Sequence, residues 1–464
     1  MTTYYVGTGG NNANDGLSWA NRKLTLNGAE DVPIAAGDTV YVGPGVYREL
    51  LTVDVSGSGG SPISYIADVA GEHTDSVGGI VRITGSADDK ANTRASCITA
   101  SSKSYRTFRG FMLDTTSGDL IDTTSADNWI VEDVTFQPSA NNIFGVDFDG
   151  SGQSTNTVRR CLFVVLGGGG SGGGVRCNHS ANVDNAAHVI ENCIFLGSGS
   201  NTGVWTPRVG GVTIRNSIFI GADFGVRIGT ALTVGQTQPV NNCVFYGCRF
   251  GVHATTSGEI TEDYNSFCAN DTARTNVSTG ANSNTWPPIF NPLMLLAGFN
   301  LPQFEPWSLS EWSQVRAITG TGTATDDLFG MARPATAAKL SWGAVQYTDI
   351  QRSTVTVNTG SGSLQMADAG RRQFVIPITS TATAFSVNAY LSTAYAGTGP
   401  QLVIRQPGQS SHTVTGSTVT GAWAALSTSF TPAALPPYVI AEIVSNNTAT
   451  STSASVFWDD LKAS

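Results

Sequence analysis

The sequence predicts an all-β protein: a solenoid of stacked β coils followed by a separate β-sandwich. Three observations carry this. A six-residue phrase recurs along the middle of the chain, as VEDVTF (Val131–Phe136), VRRCLF (Val158–Phe163), IENCIF (Ile190–Phe195), IRNSIF (Ile214–Phe219) and VNNCVF (Val240–Phe245). A weaker copy, FRGFML, stands at Phe108–Leu113, and the five terminal Phe positions from Phe136 to Phe245 are 27, 32, 24 and 26 residues apart. A second phrase follows: FGVDFDG at Phe144, GGVRCNH at Gly173, TGVWTPR at Thr202, FGVRIGT at Phe224 and FGVHATT at Phe250. Two strand-like phrases per period, with no helical phrase between, describe a coil that cannot bury its apolar face alone, so neighbours stack to make a core. The third observation is a change of texture after residue 347, where RQFVIPI, QLVIRQ, YVIAEIV and ASVFWDDL alternate as short strands between turn residues.

Composition agrees. Of 464 residues only 13% are charged, 40% are hydrophobic and 53 are Gly, which suits a long turn-rich β chain. The net charge of -10 leaves no basic stripe to replace phosphate counterions, so no nucleic-acid partner is expected. No apolar run reaches the roughly 18 residues of a membrane span, and MTTYYVGTGG has neither the basic nor the apolar region of a secretory signal. Of seven Cys, Cys161, Cys193 and Cys243 share one slot of the repeat. That column points to stacked, reduced core thiols made in a reducing cytoplasm, not to a disulfide framework.

Along the chain, residues 1–30 read as a cap that covers the open edge of the first coil. Residues 31–275 read as the parallel β-helix, opened by GDTVYVGPGVYRELLTV (Gly37–Val53) with its alternating Val and Gly-Pro-Gly turn. Within it, between two strands, GGGGSGGG (Gly167–Gly174) reads as a loop that widens one coil, since no Lys-Ser or Lys-Thr and helix follow to make a phosphate cradle. Residues 276–347, with Trp286, Trp307 and Trp312, read as a segment covering the far end, and 348–464 as the sandwich.

Taken together, these phrases resemble the right-handed, single-stranded parallel β-helix superfamily, the pectate-lyase-like fold. The resemblance is carried by YYVGTGGNNANDG (Tyr4–Gly16), AAGDTVYVGPGVYRE (Ala35–Glu49), SPISYIADVAGE (Ser61–Glu72), DYNSF (Asp263–Phe267), DDLFGMARP (Asp326–Pro334) and WGAVQY (Trp342–Tyr347). It implies fold far more than activity, because its members include polysaccharide lyases, glycoside hydrolases, epimerases and phage tailspikes. GAWAALSTSFTP (Gly421–Pro432) and the ending VFWDDLKAS loosely resemble carbohydrate-binding jelly rolls.

In the second phrase, strand alternation sends the Val inward and the next residue outward. That residue is Asp147, Arg176, Trp205, Arg227 and His253 in successive coils, an exterior column roughly 20 Å long at about 4.8 Å per strand. In the superfamily the corresponding exterior is where lyases and hydrolases keep their sites. Three readings stay open: sugar contact, a subunit interface, or a plain solvated face. For sugar contact, Trp205 stacks on a ring and the arginines pair with uronate or sialate carboxylates. Asp147 and Asp149 share a face about 6.7 Å apart, a spacing open to a glycosidase carboxylate pair. His179 and His253 lack a paired nucleophile or metal spacing. No lyase hallmark or Ca²⁺-binding motif is visible, so no cofactor is expected, with Ca²⁺ at Asp459 and Asp460 as the one alternative. The Asp133, Asn192, Asn216 and Asn242 slot reads as a turn ladder of amides.

The resemblance and the missing signal imply a virion protein: a phage spike, fibre or capsid decoration, homotrimeric, contacting other virion proteins and host surface polysaccharide. The alternatives are a polysaccharide lyase or glycoside hydrolase, and a purely structural decoration.

Overall fold

A computed structural model describes residues 1–74, 77–89, 94–138, 142–150, 155–165, 172–179, 187–197, 200–232 and 236–285. Beyond these it describes 325, 350–353, 363–366, 371–377, 383–405, 411–430, 438–446 and 456–463. Most of the Gly167–Gly174 run, Trp286, Trp307 and Trp312, and the phrases at Asp326–Pro334 and Trp342–Tyr347 lie outside the described residues. The chain divides into two compact units, the second made mainly of Tyr347–Ser464.

The first unit is a parallel β-solenoid. Its three sheets hold ten, nine and nine strands, all paired in parallel with the coil before and after. One coil shows the pattern: Ile130–Glu132 in the first sheet, Thr135–Gln137 in the second, Phe144–Gly150 in the third. Each coil thus has three strands where two phrases were expected. The reason is local. Asp133, Asn192, Asn216 and Asn242, in mid-phrase, have φ of 57°, 55°, 50° and 57°. A left-handed residue ends one strand and turns the chain into the next, and Asn and Asp tolerate it best among residues with a Cβ. Arg160 and Tyr264 take the same slot at φ 53° and 56°; Arg160 is held there by Asp133 (Nε to Oδ1, 2.7 Å) and Glu132 (Nη2 to Oε2, 2.8 Å).

The Phe of each phrase points into the lumen. Phe136, Phe163, Phe195, Phe219, Phe245 and Phe267 stack with centroids 4.6 to 4.8 Å apart and planes within 7°. The ladder ends under the Arg274 guanidinium, 4.1 Å from the Phe267 ring. The recurring Gly-Val of the second phrase follows from this ladder. A Cβ on Gly225 would lie 2.6 Å from the Phe245 ring and 2.5 Å from the Gly251 carbonyl, so only glycine fits where the third sheet bends around the ring.

Six cysteines are buried and all are free. Burial pushes the Cys97 and Cys248 thiols up to about 12 and the Cys161 and Cys177 thiols well above their ordinary value. Little thiolate is then available for attack. Native protein exposed to a thiol reagent is expected to leave Cys161, Cys193 and Cys243 unmodified, with the half-buried Cys268 labelled first. Labelling of all three at the rate seen in denaturant would contradict the packing.

A charge sits inside this apolar lumen near its start. Thr25 caps the short helix Leu26–Glu30, its hydroxyl accepting from Gly28 N, and the helix delivers Glu30 to the core. Arg106 Nη2 donates to both Glu30 oxygens at 2.6 Å, and the Tyr65 hydroxyl donates to Oε1 at 2.7 Å. The side chains of Arg106 and Glu30 are 0% and 2% exposed. Nothing in the repeat announces this pair, because its members are 76 positions apart and come from different elements.

The second unit holds two antiparallel sheets. One runs Ile350–Ser353, Ser363–Met366, Val456–Ala463, Thr383–Leu391, Trp423–Phe430; the other runs Arg371–Pro377, Tyr438–Val444, Gln401–Arg405, His412–Thr415. Phe385, Val387, Leu426 and Val456 of the first and Leu402, Ile404 and Ile443 of the second bury into one apolar cluster. The unit therefore closes a core of its own between the sheets.

Candidate functional site on the third sheet

The expected exterior column exists on the third sheet. Parallel register aligns Asp147 with Arg176, Arg176 with Trp205, Trp205 with Arg227 and Arg227 with His253. Asp122 extends it one coil earlier, opposite Asp147, and Thr275 follows His253. The adjoining Val146, Val175, Val204, Val226 and Val252 are fully buried, as alternation requires.

The column has two chemically distinct ends. At the acidic end, Arg176 is clamped. Its Nε donates to Asp147 Oδ1 at 2.9 Å, and its Nη2 donates to Asp147 Oδ2 at 2.6 Å and to Asp119 Oδ2 at 2.8 Å. Asp147 is only 2% exposed, so it is not the solvated exterior acid that alternation alone suggests. Arg176 and the neighbouring coils cover it. Burial pushes its carboxyl up to about 7, against the pull of Arg176 and with a further push from Asp119 and Asp149. Burial also raises Asp119 and Asp122. Asp149 accepts from Gly150 N at 2.7 Å. Sequence reasoning counted only Asp147 and Asp149 here. Asp119 and Asp122 join them from DLIDTT (Asp119–Thr124), a degenerate copy of FGVDFDG that the lost Phe and Gly concealed.

The other end is a cation–aromatic shelf. Phe144, Phe224 and Phe250 also face outward, because Gly and Val of each phrase turn inward in succession; this was not anticipated. Phe224 and Phe250 stack at 4.9 Å. The Arg227 guanidinium lies 4.6 Å from the Phe224 centroid and 5.7 Å from Trp205, while Arg176 lies 4.8 Å from Phe144 and 6.0 Å from Trp205. Arg249 sits 4.6 Å over Phe250 and pairs with Asp223 at 2.6 Å. His253 meets Phe224 and Phe250 edge-on. Burial, then the nearby Arg227, lowers the His253 pKa, so its ring is neutral at pH 7.

Arg176 and Arg249 have carboxylates; among the described residues, Arg227 has none. Its Nε, with Trp205 Nε1 and His253 Nδ1 in the flanking coils, is buried without a hydrogen-bond partner among the described residues. Such atoms are costly and uncommon in folded proteins. Among the described residues no group of three or more His, Cys, Asp or Glu is arranged to hold a metal ion. The side chains of His179, Asp459 and Asp460 lie outside the description.

No known family profile matches the chain, and no characterised protein matches it in sequence. Among solved structures it is similar to pectate lyase Pel9A, with a TM-score of 0.42 and 17% identity over 75% of this chain and 96% of that one. A rhamnogalacturonan lyase gives 0.45 and 20% over 62% and 77%. The PL6 family polysaccharide lyase Pedsa3628 from Pseudopedobacter saltans gives 0.29 and 12% over 58% and 68%. At these identities the likeness concerns the solenoid fold alone.

Proposed function

We propose that the outer face of the third sheet recognises an acidic glycan, with Trp205, Arg227 and His253 as the contact residues. The carrying observation is the contrast between two arginines on one column. Arg176 is neutralised by Asp147 and Asp119, whereas Arg227, half-buried between aromatic rings, has no counter-ion among the described residues. A carboxylate or sulfate on a sugar would supply the missing charge, and the flanking rings offer stacking surface. Immobilised dextran sulfate and polygalacturonate are expected to retain the protein. Arg227→Ala should weaken binding at least tenfold, while Arg249→Ala, already paired with Asp223, has a smaller effect. Equal binding by wild type and Arg227→Ala would remove the proposal.

The same reading sets a pH dependence. His253 is neutral at pH 7 and gains a proton only below its ordinary range. Dextran sulfate stays ionised throughout, so its affinity should rise as pH falls below the ordinary histidine range. His253→Gln should flatten that rise.

A second reading, glycan cleavage, is favoured by one observation. A carboxyl titrating at about 7 beside other carboxylates is suited to give a proton to a leaving group. Its linkage is testable by itself. The folded state holds the Asp147 proton more tightly than the unfolded chain, so this group's contribution to stability falls as pH rises from about 4 to about 7. Asp147→Asn is expected to flatten the decline in Tm across that window. Depolymerisation of an acidic polysaccharide that Asp147→Asn or Asp149→Asn abolishes would establish the enzyme reading over pure recognition.

The setting expected from the sequence, a homotrimeric spike, fibre or decoration on a virion that binds host polysaccharide, belongs to the proposal. The strand order of the second unit, two interleaved antiparallel sheets, supports reading it as a jelly roll. Light scattering should give three times the 48.4 kDa chain mass; a monomer would exclude the trimer.

A further inference from the structure

The N-terminal cap holds another arginine that stacks on an indole ring and has no carboxylate among the described residues. Trp19 lies over the end of the first sheet, where Gly7 and Gly43 follow the strands Thr3–Val6 and Thr39–Val42. A Cβ on Gly7 would fall 2.5 Å from the Trp19 ring and one on Gly43 2.4 Å, so the two glycines let the indole rest on the backbone. The Arg22 guanidinium lies 4.3 Å from the Trp19 centroid, and its Nη1 donates to the Trp19 carbonyl at 2.9 Å. Its Nε is buried without a partner among the described residues, and its Nη2 makes no hydrogen bond to them.

The chain around Arg22 fixes this presentation. Asn11 N and the Asn14 side-chain amide both donate to the Arg22 carbonyl at 3.1 Å, and Asn12 Oδ1 accepts from Leu24 N and Thr25 N at 2.9 and 3.1 Å. Lys23 is buried and donates its ammonium to the Asn12 carbonyl at 2.8 Å, again with no carboxylate among the described residues. Two consecutive cations are thus uncompensated in a chain whose net charge is -10. Against Arg22 lies a tight turn. Gly10 N donates to Gly7 O at 2.8 Å, which makes Thr8 and Gly9 its central residues. Both are exposed, and their N–H groups have no partner among the described residues. A Cβ on Gly9 would lie 2.7 Å from Arg22 Nη2, so the guanidinium reaches directly over the turn.

We infer that Arg22 and the Thr8–Gly9 turn bind a phosphate or sulfate group. A guanidinium and the successive N–H groups of a turn are both donors suited to an oxyanion. They come from two elements, and a tetrahedral group turns oxygens toward both, where a flat carboxylate meets one. The site is separate in residues and in sheet from the Arg227 shelf.

The test is calorimetric titration of the full chain with potassium phosphate and potassium sulfate at constant ionic strength. It is run in wild type and in Arg227→Ala, so that the third sheet cannot supply the signal. At least one of the two anions should bind saturably in Arg227→Ala. Arg22→Ala added to that background should weaken the binding at least tenfold. Gly9→Ala keeps every charge but fills the space beside Nη2, and should weaken it at least threefold. Glucose 6-phosphate added against the bound ion distinguishes the source: displacement assigns the site to an ester, no displacement to the free ion, and the inference stands in either case. No saturable binding of either anion in Arg227→Ala overturns it and leaves the acidic-glycan reading of the third sheet untouched. Unchanged binding in folded Arg22→Ala overturns it as well. Should that variant fail to fold, unchanged binding in Gly9→Ala does so in its place.

Discussion

Phe219→Ala is expected to lower the stability of the solenoid by about 3–5 kcal/mol, the range for removing a large buried aromatic side chain. Phe219 is fully buried, with ring neighbours on both sides at 4.7 and 4.8 Å. The space left is bounded by Phe195, Phe245 and the Gly203 backbone, which a Cβ at position 203 would bring within 2.5 Å of the Phe219 ring. The walls belong to coils held by backbone ladders on three sides, so they cannot close over the gap. The cost should therefore reach the upper part of the range. Phe219→Leu should recover much of it by refilling volume. Denaturant titration followed by far-ultraviolet circular dichroism reads both. A loss below about 1 kcal/mol for Phe219→Ala would mean that the column is not close-packed.

Glu30→Gln is the second large effect. Arg106 is fully buried; among the described residues Glu30 supplies its only carboxylate, and its Nε and Nη1 have no partners. Removing one member of a buried pair strands the other charge, at a cost of about 3–5 kcal/mol. Replacing both, as Glu30→Leu with Arg106→Met, removes the stranded charge and should be much less harmful than the single change, because apolar pairs of similar volume often match a buried ion pair. Tyr65 would then lose the acceptor of its hydroxyl, so a residual deficit of about 1–2 kcal/mol is expected from that group. A double variant no more stable than Glu30→Gln would show that the pair contributes through geometry and not through charge neutralisation.

Much of the site's scaffold was legible because solenoid physics is nearly one-dimensional. Val, Phe, Cys and Asn recur in fixed slots, and each slot meets its own kind in the next coil at a set spacing. Hence the Phe ladder, the thiol column, the Asn turn and the order Asp147, Arg176, Trp205, Arg227, His253 could all be read from spacing. The division of each phrase into two strands was less visible, because it depends on backbone dihedrals at one residue. Asp119 and Asp122 stayed hidden because their coil had lost the Phe and Gly that mark the phrase.

What the linear sequence determined, then, is periodic: the stacked coils, the inward and outward faces, and which side chains share a column. What only the tertiary structure decided is pairing between groups that share no period. It selected Arg176 for a clamp between two aspartates and left Arg227 without a counter-ion among the described residues, though both occupy the same slot. It also carried Glu30 from a short helix to Arg106 inside the lumen. The physical reason is that charge compensation acts through space over a few ångströms and is strongest where water is excluded. Burial and partners are therefore set by the packed coils, whereas a repeat records only what each coil asks of its neighbours.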